Sequence, residues 1–216
     1  MPWQGQDWAQ LFEQVENEQL PHALLLVGGQ HSGLSQLALA LARLLLCNQA
    51  ESSLNCGHCH ACMLSASGAH GDLRWIEPVE KSRVIKVDQI RDVVQFSNQT
   101  AAFGLRKVIV LAPADNMNLN AYNALLKSLE EPTANTYWIL VCHRMFGVPA
   151  TIRSRCQIQR LGVPDDVSTL NWLNESTGDL EKSKELLSLS DERPLLAQQL
   201  YLDGSSREFA LRRSCL

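Results

Sequence analysis

The run HALLLVG, residues 22 to 28, constrains the fold of this chain more than any other stretch. It is apolar, too short for a helix, and ends on glycine, and beyond it Leu34, Leu37, Leu41, Leu44 and Leu45 recur at helical spacing. A buried strand that turns through glycine into an amphipathic helix is the opening unit of a layered strand-and-helix fold. DLRWIEP, KVIVLAPAD and TYWILVCH read as further short strands rich in aliphatic and aromatic side chains. Between them, Asp88 is placed to cap a helix carrying Ile90, Val93 and Val94, and Leu119, Tyr122, Leu125, Leu126 and Leu129 stripe another that stops before Pro132. Strands alternating with helices in this way predict an α/β domain over residues 1–162, a mainly parallel sheet with helices on both faces.

Beyond LGVPDD the pattern changes. A linker is expected near Gly162 to Pro164, and residues 163–216 hold only helical patches, DVSTLNWLNES, LEKSKELLSL and PLLAQQLYLDG, separated by turn signals. They predict a small helical domain, and LRRSCL ends the sequence inside a continuing helical pattern, as in a chain cut short of its full length. With 216 residues, 45% of them apolar, the chain has enough material for a proper core. The formal charge of −4 supplies no basic field of the kind that carries independent duplex-DNA binding. MPWQGQDWAQ lacks the pattern of a signal peptide, and the apolar run from Leu37 to Cys47 is short and broken by Arg43, so a cytoplasmic protein with no membrane contact is expected.

Residues 28 to 35 nearly spell a phosphate-binding loop. Gly28, Gly33 and Ser35 fall in register with G-x-x-x-x-G-K-[ST], but Leu34 stands at the lysine position. Backbone N–H groups at such a turn still suit phosphate, whereas the ammonium that reaches the β and γ phosphates is missing. In KVIVLAPADN, Ala112 and Pro113 stand where carboxylates would be needed to hold Mg²⁺, with Asp115 two residues further on. A plain strand-to-helix turn would account for the first departure alone; two in matching places suggest a degenerate ATPase fold.

Cys47, Cys56, Cys59 and Cys62, four of seven cysteines, follow the spacing C-x8-C-x2-C-x2-C, with Gly57 free to make the tight turn. Four thiolates suit tetrahedral Zn²⁺ in a closed, structural site within a module of about residues 47–71, with His58, His60 or His70 as possible substitute ligands; buried free cysteines are the bland alternative. Arg153 and Arg155 in ATIRSRCQIQ precede a short alternating strand, where an arginine can project to a neighbouring subunit's γ-phosphate, although an ion pair with a surface carboxylate is the simpler reading of spacing alone. In NALLKSLEEP, Lys127, Glu130 and Glu131 read as a solvated helix face.

Together CGHCHAC, ADNMNLNAYNALLKSLEEP, ILVCHR and TIRSRC, in this order, resemble the clamp-loader branch of the AAA+ family over essentially the whole chain. The resemblance implies a P-loop-type core with an inserted zinc module, a helical lid, and a third, collar domain that this chain does not reach. It implies a non-hydrolysing subunit of the bacterial DNA polymerase III clamp loader, in which Gly28, Gly33, Leu34 and Ser35 form a degenerate loop that does not bind ATP. Arg155, between Ser154 and Cys156, would be an arginine finger for a motor subunit. Implied partners are gamma/tau motor subunits and a delta subunit, with the sliding clamp and primer–template DNA reached through the complex. Arg193, just before Pro194, is no clear equivalent of the motors' sensor arginine. Without the collar, the chain is expected to be monomeric or weakly associating. Two rival readings are an active ATPase, with Arg106 or Lys107 replacing the missing lysine, and a zinc-dependent nucleic-acid module, disfavoured by the few basic residues between Cys47 and His70.

Overall fold

The computed structural model describes residues 1–50, 54–79, 82–104, 106–162 and 164–206. Five strands, β1 (Ala23–Val27), β2 (Leu73–Ile76), β3 (Lys107–Leu111), β4 (Thr136–Cys142) and β5 (Gln157–Arg160), form one sheet in the order β2-β3-β4-β1-β5. Every pairing is parallel; Leu25 at the centre of β1 lies opposite Leu140 of β4 and Ile158 of β5. Strands buried on both faces read as continuous apolar runs, which is why HALLLVG and TYWILVC show no alternation.

The helices of this unit are α1 (Gly5–Glu16), α2 (Leu34–Leu46), α3 (His60–Ala66), α4 (Val87–Ser97), α5 (Leu119–Glu130) and α6 (Ala150–Arg153). Ala23 and Leu25 of β1 join a core with Ile90 and Val93 of α4, Leu125 and Leu129 of α5 and Ile152 of α6. Leu24 and Leu26 face the other way, toward Leu11 of α1 and Leu37, Leu41 and Leu45 of α2. Helices therefore cover both faces, as the alternation of elements predicts. Because the strands are parallel, the turns after β1, β3 and β4 gather at one end of the sheet, where open α/β sheets place their ligand crevice.

Two local features differ from expectation. The residue preceding α4 is Lys86, not Asp88: the Gln89 Oε1 accepts from the Lys86 N–H at 3.0 Å, while Asp88 lies inside the first turn and pairs with Arg91 at 3.1 Å. A carboxylate there still meets the positive end of the helix dipole, so the acid is favourable two positions further in than a cap would put it. The turn-rich cysteine segment also contains a helix, α3, whose preceding residue Cys59 accepts from the Cys62 N–H through its sulfur at 3.4 Å.

Three further helices, α7 (Asp166–Thr177), α8 (Leu180–Leu189) and α9 (Pro194–Leu202), follow the three helical patches of the sequence. They share a small core of Leu173, Leu186, Leu187, Ala197 and Leu200. Asp165 and Asp179 cap α7 and α8 by accepting from the amides of Ser168 at 2.8 Å and Glu181 at 3.0 Å. Residue 163 of the linker and the terminal LRRSCL lie outside the described residues.

One buried carboxylate anchors the loop between α4 and β3. Asp72 is 1% exposed and accepts from the amides of Ala102 at 2.6 Å, Phe103 at 2.7 Å and Gly104 at 3.1 Å. Replacing it by alanine strands three donors, so Asp72→Ala is expected to cost about 3 kcal/mol and to lower the melting temperature by roughly 10 °C. A melt within a degree of wild type would show that those amides find water instead.

Candidate functional site

The loop after β1 keeps the backbone of a phosphate loop and loses its charge. Gly33, the residue before α2, has φ 91°, left-handed backbone that favours glycine. A Cβ there would come within 2.8 Å of Met1 Cγ and 3.1 Å of Gln4 Nε2, because the N-terminus is packed down on the loop. Ser32 O accepts from Trp3 Nε1 at 2.7 Å and from Gln4 Nε2 at 3.3 Å. Leu34 is 2% exposed and belongs to the α1–α2 core, with one methyl 3.3 Å from the position a Cβ would take on Gly28. A cavity of about 360 Å³ remains, lined by His31, Gly33, Ser35, Pro113, His143 and Leu195.

Among the described residues, no lysine or arginine lines this cavity. Burial, with Arg193 and His143 nearby, holds the His31 imidazole below its usual pKa, so it is neutral at pH 7. The side chain of Asp115 is 2% exposed, and its oxygens accept from the His143 amide and from Arg144 Nε, each at 3.0 Å. Asp115 thus fastens the turn after β3 to the turn after β4. Lys107 opens β3, at the opposite end of the sheet from the loop, and its Nζ donates to the carbonyls of Phe96 at 3.1 Å, Ser97 at 2.5 Å and Gln99. Arg106 precedes it and lines a separate cavity of about 580 Å³ beside Cys47. Neither residue stands in for the missing lysine, because parallel strands separate the two ends of the sheet. Arg193 is engaged in its own turn, donating to Ser190 O at 2.6 Å and Asp191 Oδ2 at 3.2 Å.

The four clustered cysteines converge. Their sulfurs lie within 4.8 Å of one another, with Cys47 and Cys59 at 4.0 Å and Cys56 and Cys62 at 3.9 Å. A tetrahedral thiolate shell with bonds of about 2.3 Å separates its sulfurs by about 3.8 Å, so the arrangement fits one ion. Backbone N–H groups also point at the sulfurs: Gln49 and Cys56 at Cys47 (both 3.4 Å), Cys59 at Cys56 (3.3 Å) and Cys62 at Cys59 (3.4 Å). Donors aimed at sulfur favour thiolate over thiol, which is the form a metal needs. The histidines stand apart from this group. His58 contacts its own turn at Cys56 O, 2.9 Å away, while His60 and His70 pack edge-on to Phe103.

Arg155 sits in the turn between α6 and β5. Its Nε donates to Glu130 Oε1 at 2.7 Å, Nη2 donates to the same oxygen, and Nη1 donates to Thr151 O at 2.7 Å. Glu130 of LEEP is therefore a partner of the SRC arginine and not simply part of a solvated face. Cys156 is packed against the core, and burial pushes its thiol up to about 12, so it is an apolar wedge beside Arg155 and not a nucleophile.

The same arrangement of strands and helices occurs in solved structures with an AAA+-like fold. A gamma-subunit-related protein of DNA polymerase III from Thermotoga maritima superposes with a TM-score of 0.62 at 22% identity, over 89% of this chain and 57% of that one. The Thermotoga maritima RuvB Holliday junction branch migration motor does so with 0.56 at 12% identity, over 96% and 66%. At these identities they establish the fold alone: a parallel-sheet AAA+ unit followed by helices. The family model described as DNA polymerase III, delta subunit matches residues 3–165, and the chain belongs to that family. Among its relatives, DNA polymerase III subunit delta' of Pseudomonas aeruginosa is 43% identical over 205 residues, 94% of this chain and 62% of that protein. The delta' subunit of Escherichia coli is 34% identical over 201 residues, 93% of this chain and 60% of that protein. The chain thus spans about three fifths of the length of these relatives.

Proposed function

We propose that this chain is a non-hydrolysing clamp-loader subunit that lends Arg155 to the ATP site of an adjacent motor subunit while its own phosphate loop does no chemistry. The observation that carries the reading is Leu34: where a phosphate loop needs an ammonium, a leucine 2% exposed is packed into the core. Asp115, the nearest acid to the missing pair, is committed to His143 and Arg144. Helix α9 touches the loop through the Leu195 N–H on His31 O at 3.2 Å, and Trp3 meets Trp172 of α7 edge-on at 5.2 Å, so protein contacts join the helical unit to the loop, as suits a fixed arm.

In this reading the α/β unit of residues 1–162 carries a zinc module at about 47–71, in which Cys47, Cys56, Cys59 and Cys62 hold structural Zn²⁺, and residues from 163 onward form the lid. Zinc there cross-links the segment and leaves no open position for water. The partners are gamma/tau motor subunits and delta, with the sliding clamp and primed DNA engaged by the assembled ring. Among the described residues no helix is long and apolar enough to cross a membrane, which accords with a replisome component in the cytoplasm.

Equilibrium binding of a fluorescent ATP analogue with Mg²⁺ tests the loop. Saturation is expected to be absent up to roughly 1 mM, a free energy weaker than about −4 kcal/mol. Micromolar binding would mean that Leu34 has been compensated and would overturn the non-hydrolysing reading.

A further inference from the structure

Glu130 and Glu131 place two carboxylates at the end of α5, where the helix dipole is negative and acids are disfavoured. An unfavourable charge in a fixed place calls for a compensating partner, and Arg155 is that partner for Glu130. The two are set by rigid neighbours: Leu129, 2% exposed, immediately precedes Glu130, and Ile152, 0% exposed, lies in the turn of α6 that leads to Arg155. The guanidinium is consequently held on two sides, by one carboxylate oxygen on its Nε–Nη2 edge and by the Thr151 carbonyl on Nη1. Nη1 makes a second, long donation to Ser154 Oγ at 3.4 Å, so of the five N–H groups one, on Nη2, lies beyond these four bonds. One free donor on Nη2 and one held only by the long Ser154 contact on Nη1 leave the planar group able to meet two oxygens of a phosphoryl group.

We propose that Glu130 is the positioning residue for Arg155: it orients the guanidinium so that its remaining donors are set for a phosphoryl group presented by a neighbouring subunit. The proposal rests on the reading of Arg155 as an arginine finger. A flexible arginine adopts many rotamers, and a finger acts only in those where its donors meet the developing charge. A side-on carboxylate removes most of the others before the partner arrives, and preorganisation of this kind acts on the chemical step more than on substrate binding.

The test is a steady-state cycle in a clamp-loader complex reconstituted with this subunit as wild type, Glu130→Gln, Arg155→Ala or both. Glu130→Gln is expected to lower kcat for ATP by about tenfold, with KM within about twofold and normal assembly by size exclusion. The double variant is expected to be no slower than Arg155→Ala alone, because Glu130 acts only through that arginine. Glu130→Asp is expected to recover part of the loss, since the charge is retained at a shorter reach. If Arg155→Ala turns over normally, the finger reading falls and this proposal with it. If Arg155→Ala is slow while Glu130→Gln equals wild type, only the proposal is overturned. A Glu130→Gln complex faster than wild type would mean that the carboxylate restrains the arginine, and a double variant slower than Arg155→Ala would mean that it acts on the fold; each overturns positioning.

Discussion

Arg155→Ala is expected to depress ATP turnover by an assembled clamp loader about 1,000-fold at sites that depend on this finger, with the fold of this chain unchanged. Arginines supplied in trans stabilise charge that develops on the transferred phosphoryl group, and their removal costs three or more orders of magnitude in rate. The fold should tolerate the loss, because the side chains of Arg155 and Glu130 are 32% and 47% exposed and a pair so placed contributes only about 0.2–1 kcal/mol. Arg155→Lys should recover little, since a single ammonium cannot occupy the Glu130 oxygen, the Thr151 carbonyl and a phosphoryl group in the geometry of a planar fork. The measurement is steady-state hydrolysis by the reconstituted complex, alongside thermal melts of each variant subunit. Unchanged turnover in a correctly assembled complex would remove Arg155 from the mechanism and leave the Glu130 pair as an ordinary surface contact.

Removing zinc from the proposed four-cysteine site should have the largest structural effect. Substituting Cys59 by serine breaks the shell twice, because Cys59 is both a sulfur of the cluster and the residue whose sulfur accepts from the first turn of α3. Structural zinc in small cysteine sites contributes an apparent 10–16 kcal/mol, on the order of the whole stability of such modules. Cys59→Ser is therefore expected to abolish stoichiometric zinc by elemental analysis and to strip amide-exchange protection from α3. Strands β1, β3 and β4 should stay protected, since their cores draw nothing from the four sulfurs except through Leu45 and Leu46 at the end of α2. Full protection of α3 in a zinc-free variant would show that the cysteines are apolar packing and that no metal is needed.

These effects divide by how far apart in the chain their causes lie. Each of the first four strands answers to a short apolar run, and α2, α5 and α7–α9 answer to leucine spacing together with turn residues; both signals come from neighbours within a few positions. Helix α1 carried the same kind of signal in Trp8, Leu11 and Val15, which pack on the α2 side of the sheet. The convergence of the four cysteines was legible as well, because three of them fall within seven residues. Leu34 and the Ala112–Pro113 departure could be read from the motif they interrupt.

What the sequence alone determined, then, is the list of elements, the missing ammonium and the cysteine cluster, all properties of residues close together in the chain. Tertiary structure decided everything that joins distant ones. It set β1 between β4 and β5, buried Asp115 against Arg144 and laid Met1 and Gln4 over Gly33. It also brought the end of α5 to the turn after α6, so that Glu130 meets Arg155 across twenty-five positions of sequence. No periodicity records such a pair, because a helix stripe or strand run reports which side of an element is buried, whereas the partner on that side depends on how the elements pack.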